Sequence, residues 1–397
     1  MKKVLMVATV PSVIGQFNMN NVQLLKEMGY DVHVACNFFD RSVWPEDRIK
    51  EFIELLKNLK VVYHQIDFCR SPKCVNQILK SIYQMNNLMA KEKYSFVHCH
   101  TPMAGVVSRL ICYKKKVKVI YTAHGFHFYQ GAPLKNWLIY YPVEKLLSWW
   151  TDILITINRE DYKRAKKRFY AKKTLYIPGI GIDVKKYGND RTDLNEKRKE
   201  LGIGSDDIML LSVGELNANK NHRAVIHALG KIIETDKNSA DHLHYFIAGK
   251  GELKDMLIEL AYKEGINLHL LGFRNDVSEL LKAADIFILP SIREGLNVSL
   301  MEAMACKCPV ICSKIRGNID LIVEEKGGFL FSTGELNDLE DKLNRLVKMS
   351  ARERCDFGEY NYRKIQKFDC GKVNIRMREI YGSLYEGEDE QRIFSKE

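Results

Sequence analysis

The chain alternates short β-branched apolar runs with longer stretches in which apolar residues recur every three or four positions. In its first half Val4–Ala8, Asp31–Ala35, Val61–Ile66, Phe96–Cys99, Val117–Thr122, Ile153–Ile157 and Thr174–Ile177 read as strands. Between them, Asn20–Met28, Ile49–Leu59, Val75–Ala90 and Lys135–Trp150 carry a helical period. Near-continuous apolar strands separated by helices predict a parallel, doubly wound α/β sheet covered on both faces. From Gly181 to about Asp207 the sequence turns polar and charged, as a linker with one short helix would. The alternation then restarts, with strands at Ile208–Val213, His244–Ala248, Leu268–Leu271, Asp285–Leu289 and Pro309–Cys312. Helical stretches follow near His222–Glu234, Glu252–Glu264, Val277–Ala283, Val298–Ala305 and Leu336–Lys348, and a last apolar stripe runs through Phe368–Tyr385. The pattern predicts two Rossmann-like halves facing each other across a cleft, with ligands at the C-terminal strand ends.

Composition narrows the class. The chain has 397 residues, 46% apolar and 28% charged, enough for two ordinary domains with their own cores. Met-Lys-Lys followed by Val4–Val10 is too short for a signal peptide and ends in Pro11-Ser12, so it reads as a buried first strand. No run approaches the roughly 18–20 apolar residues of a membrane span, and a cytoplasmic setting is expected. Ten cysteines are scattered without any Cys-x-x-Cys pair, and Cys306 and Cys308 are too close for paired metal ligands. They read as reduced core thiols and not as a metal site.

The net charge of +11 is unevenly placed. Residues 1–200 carry 34 basic against 18 acidic side chains (+16), and residues 101–173 alone carry 15 against 4 (+11). That region interleaves Lys114–Lys116, Lys118 and the run Lys163, Arg164, Lys166, Lys167, Arg168 with Trp137, Tyr140, Tyr141, Trp149 and Trp150. Basic residues beside exposed aromatics suit an anionic membrane surface; a basic face kept for solubility is the other reading. No nucleic-acid motif accompanies the charge.

The candidate chemistry lies in loops at strand ends. The first strand is followed by Pro11–Gly15, a loop in which Gly15 permits close backbone approach to a ligand. Ser212-Val-Gly-Glu-Leu-Asn-Ala-Asn-Lys-Asn221 turns at Gly214 and sets Lys220 at a helix start, where a lysine and free N–H groups neutralise a pyrophosphate. Phe246–Gly251 is glycine-rich but lacks dinucleotide or P-loop spacing. Leu270–Val277 is a loop able to hold a flat base against backbone and Phe273 or Arg274. Asp285–Pro309 reads as strand, Pro-Ser break, Glu-Gly loop and a helix from about Asn297 to Ala305. Glu294 and Glu302 frame its helix start, which fits a ligand with anionic and hydroxyl-rich parts such as a nucleotide-sugar. A solvated loop acid and a surface helix acid would have the same spacing.

Taken together, the loops resemble the family 4 glycosyltransferases of the two-Rossmann GT-B fold, over essentially the whole chain. The likeness rests on Val213-Gly-Glu-Leu-x3-Lys-Asn221, Ile247-Ala-Gly-x-Gly251, Gly272-x3-Asp-Val277, Ala284-Asp285, Pro290-Ser-x2-Glu-Gly295, and Glu302-Ala-Met-Ala-Cys306 with Pro309-Val310. Within the family it is similar to bacterial exopolysaccharide and capsule enzymes through Thr122-Ala-His-Gly-Phe-His-Phe128, Gly131-Ala-Pro133, Tyr141-Pro-x-Glu-Lys145, Asp152-x-Leu-Ile-Thr-Ile-Asn158 and Glu160-Asp-Tyr162. The resemblance implies an acceptor-side domain of residues 1–183, joined by a C-terminal helix (about 366–397) that crosses back to it, and a donor domain of residues 184–365. It implies that Glu294 accepts from donor-sugar hydroxyls and Glu302 from the ribose. The backbone of Gly295, Leu296, Asn297 and Val298 would meet the diphosphate, beside Gly214 and Lys220, with Arg274 and Asn275 on the nucleotide. His124 would face sugar and acceptor, with His127 an alternative acceptor contact and the Gly15 loop approaching the diphosphate or the acceptor. Glu215 departs from the pattern, standing where many members have arginine; Arg293, Arg274 or Lys250 are the residues that could compensate.

The implied activity is retaining, metal-independent transfer of a hexose or N-acetylhexosamine from a UDP-sugar to a polyprenyl-diphosphate-linked saccharide. No cofactor is expected, and the donor phosphate, not a side chain, would take the acceptor proton. The setting would be cytoplasmic, peripheral on the inner face of the membrane. Two other readings remain open, a UDP-sugar epimerase of the same fold and a non-catalytic nucleotide-sugar-binding subunit.

Overall fold

Every strand–strand pairing among the described residues is parallel. A computed structural model of the chain describes residues 1–188, 194–237 and 240–384. They divide into two compact units, one of Met1–Ile180 with the segment from Gly371, the other of Gly181–Cys370.

In the first unit the strands β1 (Lys3–Val7), β2 (Asp31–Cys36), β3 (Val62–Gln65), β4 (Tyr94–His100), β5 (Lys118–Ala123), β6 (Ile153–Thr156) and β7 (Lys173–Tyr176) form one sheet in the order β3-β2-β1-β4-β5-β6-β7. Their crossovers are α1 (Pro11–Phe17), α2 (Met19–Glu27), α3 (Glu46–Asn58), α4 (Val75–Lys91), α5 (Pro102–Lys115), α6 (Leu134–Ser148) and α7 (Arg159–Arg168). The strand order reverses between β1 and β4, the switch point where doubly wound sheets open toward a ligand. There Thr9 and Thr101 join the two strand ends through their hydroxyls at 2.7 Å. Thr101 takes φ +66°, a costly conformation for a β-branched residue.

The second unit begins with α8 (Val184–Gly188) and α9 (Leu194–Glu200), so two helices stand where one was expected in a linker. Arg198 of α9 donates to Asp285, at 2.8 Å, and to the Ala283, Gly204 and Asp207 carbonyls, which fastens this polar segment to the sheet. The unit continues through β8 (Ile208–Val213), α10 (His222–Thr235), β9 (Leu243–Ala248), α11 (Lys254–Lys263), β10 (Asn267–Gly272), α12 (Val277–Ala283), β11 (Ile286–Leu289), α13 (Val298–Ala305), β12 (Val310–Ser313), α14 (Asn318–Leu321), β13 (Gly328–Phe331), α15 (Leu336–Lys348) and α16 (Ala351–Ile365). Its sheet order, β10-β9-β8-β11-β12-β13, reverses between β8 and β11. Strand β13, only four residues long, was not expected from the sequence. The last helix, α17 (Cys370–Gly382), belongs to the first unit, where Val373, Met377, Ile380 and Tyr381 join a core with Val4, Met6 and Phe96.

Two expectations need correction. Pro11–Gly15 is not a loop but the start of α1, because Pro11 sits at N1, where its fixed φ and missing N–H cost nothing. A Cβ on Gly15 would lie 2.4 Å from the Trp44 ring, so this glycine is required by packing inside the first unit. The aromatics of residues 137–150 are also not uniformly exposed: Trp137, Tyr140 and Tyr141 pack against the core, and Trp149 is the one that faces outward. Seven of the cysteines are buried as core thiols would be, whereas Cys74 and Cys370 are half-buried and Cys355 is exposed.

Candidate active site

The second unit concentrates its polar chemistry at the β8/β11 switch point. After β8 the chain enters a loop that is tied to the Gly249–Gly251 turn: Gly214 N–H donates to the Ala248 carbonyl and Leu216 N–H to the Lys250 carbonyl, both at 3.0 Å. A Cβ on Gly249 would meet the Gly214 carbonyl oxygen at 1.8 Å, and one on Gly251 the Leu216 oxygen at 2.3 Å. These glycines thus serve backbone-to-backbone packing. Gly214 itself lets Lys220 lie across it, since a Cβ there would stand 3.0 Å from the lysine Cε.

Lys220 reaches the loop after β11. Its Nζ lies 2.8 Å from Glu294 Oε1, with 17% and 14% of the two side chains exposed. The loops are stitched together beside that pair, because Ile292 N–H donates to the Asn219 carbonyl and Asn219 Nδ2 to the Arg293 carbonyl. From the other side the buried Arg316 donates through Nε to the Glu294 carbonyl at 3.2 Å. Gly317, at φ +80°, brings its Cα so close that a Cβ would lie 2.1 Å from the Gly295 oxygen. Asn297 then caps α13 by accepting from Leu300 N–H at 3.0 Å. The first-turn amides, including Val298, have no intrahelical partner and carry the positive end of the helix dipole.

Glu302 lies one turn into α13. Its Oε1 accepts from the Tyr187 hydroxyl at 2.7 Å. Burial pushes the Glu302 carboxyl above its usual range, while the Tyr187 hydrogen bond and Lys186 oppose that. Tyr187 was missed in the sequence because it stands in the polar stretch taken for a linker; α8 carries it onto α13.

Glu215 can now be assigned. Its carboxylate is exposed and accepts from Asn217 Nδ2 at 2.7 Å, and Asn217 Oδ1 in turn accepts from the Lys220 N–H at 3.0 Å. The residue shapes the loop that presents Lys220 and does not itself meet the Lys220–Glu294 pair. The Arg274 guanidinium donates to both Asp276 oxygens and to Glu200, and Lys197 completes the cluster. Asn275 beside it is exposed.

In the first unit His124 follows β5. Its Nε2 stands 3.1 Å from His100 Nδ1 at the end of β4. His98, two residues earlier on the same strand face, bonds Tyr381 OH at 2.9 Å and Thr122 Oγ1 at 2.8 Å. His100, Thr122 and His124 line a pocket with Asn18 and Ile177. Burial lowers His98 to about 3, His124 to about 4 and His100 well below its ordinary value. His98 and His100 were legible, since alternate residues of a strand share a face, but only His124 had been singled out. The neighbouring His127 stacks on Tyr140, with ring centroids 4.4 Å apart. Phe126 and Phe128 are core residues, and the Phe126 N–H donates to Asp161, which Asn158 holds.

The comparisons with known proteins agree with this arrangement. The model described as glycosyl transferase 4-like matches residues 3–158, and that of glycosyl transferases group 1 matches residues 193–364. EpsD of Bacillus subtilis (strain 168), named as a glycosyltransferase, is 33% identical over 98% of this chain and 99% of its own. The chain belongs to the glycosyltransferases. It is also 28% identical, over 93% of both chains, to the Escherichia coli UDP-Gal:alpha-D-GlcNAc-diphosphoundecaprenol alpha-1,3-galactosyltransferase. The crystal structure of Anabaena HepE in complex with UDP superposes with a TM-score of 0.76 at 19% identity, covering 96% of this chain and all of that one. This glycosyltransferase thus has the GT-B fold of two Rossmann-like domains. Among its described residues no group of three or more His, Cys, Asp or Glu side chains is arranged to hold a metal.

Proposed function

We propose that the chain transfers a hexose or N-acetylhexosamine, with retention and without a divalent metal, from a UDP-sugar to a polyprenyl-diphosphate-linked saccharide. The reaction would serve exopolysaccharide or capsule biosynthesis at the cytoplasmic face of a membrane. The observation that carries the reading is the Lys220–Glu294 pair at 2.8 Å beside the start of α13. The ammonium and the α13 amides supply positive charge for a departing diphosphate. Glu294, largely buried and already oriented by Lys220, is an acceptor for sugar hydroxyls, and Glu302, held by Tyr187, is one for a ribose diol. Neutral His124 offers a hydrogen bond to a sugar oxygen. No side chain is assigned as general base; the donor phosphate fills that role, and no cofactor is required.

The E. coli relative, whose name specifies UDP-Gal and a diphosphoundecaprenol acceptor, and the Campylobacter jejuni N-acetylgalactosaminyltransferase, 28% identical over 44% of this chain, support this choice of donor and acceptor class. The test is UDP release from a panel of UDP-sugars, with and without a short-chain polyprenyl-diphosphate saccharide, with products read by mass spectrometry. UDP release that requires the acceptor, and a product heavier by one sugar, is expected. No release from any donor would overturn the proposal.

A further inference from the structure

Helix α6 carries apolar side chains on both of its faces. On its inner face Glu144 and Ser148 are buried, and Glu144 meets the buried Arg109 at 2.9 Å and the Tyr121 hydroxyl at 3.2 Å. Its outer face carries Leu134, Leu138, Ile139, Val143, Leu146 and, just past its end, Trp149, each between 42% and 73% exposed. At 100° per residue these side chains fall within one half of the helix circumference. Rolling the helix would bury the stripe only by breaking the Arg109–Glu144 pair, so the apolar face is locked outward.

The surroundings of this face select its partner. Tyr113, at the end of α5, stacks on Trp150 with centroids 4.9 Å apart, and Tyr170, just past α7, lies 4.3 Å from Trp149. The two helices that border α6 therefore bring their last turns to it, and those turns hold exposed Lys114, Lys115, Lys166, Lys167 and Arg168. An exposed aliphatic stripe flanked by cations matches an anionic bilayer, with acyl chains for the stripe and headgroups for the lysines. Fifteen residues make a helix of about 22 Å, suited to lie in the interface and not to cross it; among the described residues no helix is long and apolar enough to span a membrane.

We infer that α6 is a membrane-docking helix that inserts its Leu134–Trp149 face into an anionic lipid surface. The inference rests on the reading of the chain as acting on a lipid-linked acceptor, and it revises the membrane surface expected from the sequence, since aliphatics and not the core-packed Trp137, Tyr140 and Tyr141 supply the apolar contact.

The experiment is co-sedimentation of the full chain with phosphatidylcholine vesicles with and without phosphatidylglycerol, at low and high salt. Leu138→Ser with Ile139→Ser should lower partitioning about tenfold or more at either salt level, with an unchanged melting curve, because exposed side chains leave the core intact. Neutralising Lys166, Lys167 and Arg168 should lower it only at low salt and only with phosphatidylglycerol. Wild-type partitioning by the Ser variant overturns the inference. So does a wild-type dimer in vesicle-free buffer that the Ser variant dissociates, for then a second copy covers the face. UDP release to a water-soluble acceptor analogue, measured without vesicles, should be the same in both proteins. Its absence from the wild type would refute the proposed function and leave the vesicle result standing.

Discussion

Replacing Tyr187 by Phe removes one hydroxyl and tests how Glu302 is tuned. Burial raises the Glu302 carboxyl, and the 2.7 Å bond from Tyr187 works against that rise by favouring the ionised form. Without the hydroxyl the carboxyl must rise further, and less of it is ionised at any mildly acidic pH. A hydrogen bond to a charged group is worth about 1.5–3 kcal/mol. At a half-buried site the lower end applies, and about 1.4 kcal/mol is tenfold in affinity. Tyr187→Phe should therefore raise the donor KM several-fold at neutral pH and about tenfold at the acid end, with kcat little changed. The assay is initial-rate UDP release across pH 5–8, in which the acid limb of kcat/KM moves to higher pH in the variant. A limb in the wild-type position together with a donor KM within twofold of wild type would refute the reasoning.

Three other variants probe separate links. Lys220→Met leaves the Glu294 charge largely buried and unpaired, so it should cost about 2 kcal/mol in denaturant unfolding; adding Glu294→Gln should restore stability but not transfer. Recovery of activity in that double variant would remove both residues from the mechanism. Glu302→Gln should raise Tm at pH 8, since a carboxyl whose folded value is raised favours the folded state at low pH and loses that advantage as pH rises; the gain should shrink toward pH 5. Arg109→Met leaves Glu144 buried without its partner and should destabilise the first unit by about 3–5 kcal/mol, read from its thermal melt.

The alternation of apolar runs and helical stripes gave away the two parallel sheets, because strands buried on both faces have no polar face to obscure them. Asn297 as the cap of α13 was legible for a local reason, its side chain bonding within its own turn. What escaped depended on long-range packing. Gly15 invited a ligand reading, yet the demand on it comes from Trp44, 29 residues away in sequence. Arg274 was placed on the nucleotide, and its bond to Glu200, 74 residues away in sequence, was not foreseen. Tyr187 looked like linker, and nothing in its neighbours announced that α8 would carry it to Glu302. The exposed face of α6 was hidden by its composition. A helix with lysines, aromatics and one buried glutamate shows no apolar stripe on one side only, and only the Arg109–Glu144 pair fixes which side turns inward.

The assignment of an acid limb to Glu302 depends on the first unit adding none of its own. Its three histidines meet that condition through burial. His98 is held at about 3 and His124 at about 4, and His100 is well below its ordinary value, so all three are neutral across pH 5–8. Geometry argues the same way, because the 3.1 Å contact between His100 Nδ1 and His124 Nε2 needs one donor and one lone pair. Doubly protonated rings would present two donors to each other and break it. Among the described residues the buried His100 Nε2 has no hydrogen-bond partner, and protonating the ring would bury an added charge. Neutral imidazoles can donate a hydrogen bond to a sugar oxygen, the role proposed for His124. In Glu302→Gln the acid limb of kcat/KM that this carboxyl supplies should therefore vanish. If a limb persists with its midpoint near that of a free imidazole, a histidine of this cluster is titrating, and the neutral-donor role of His124 is wrong.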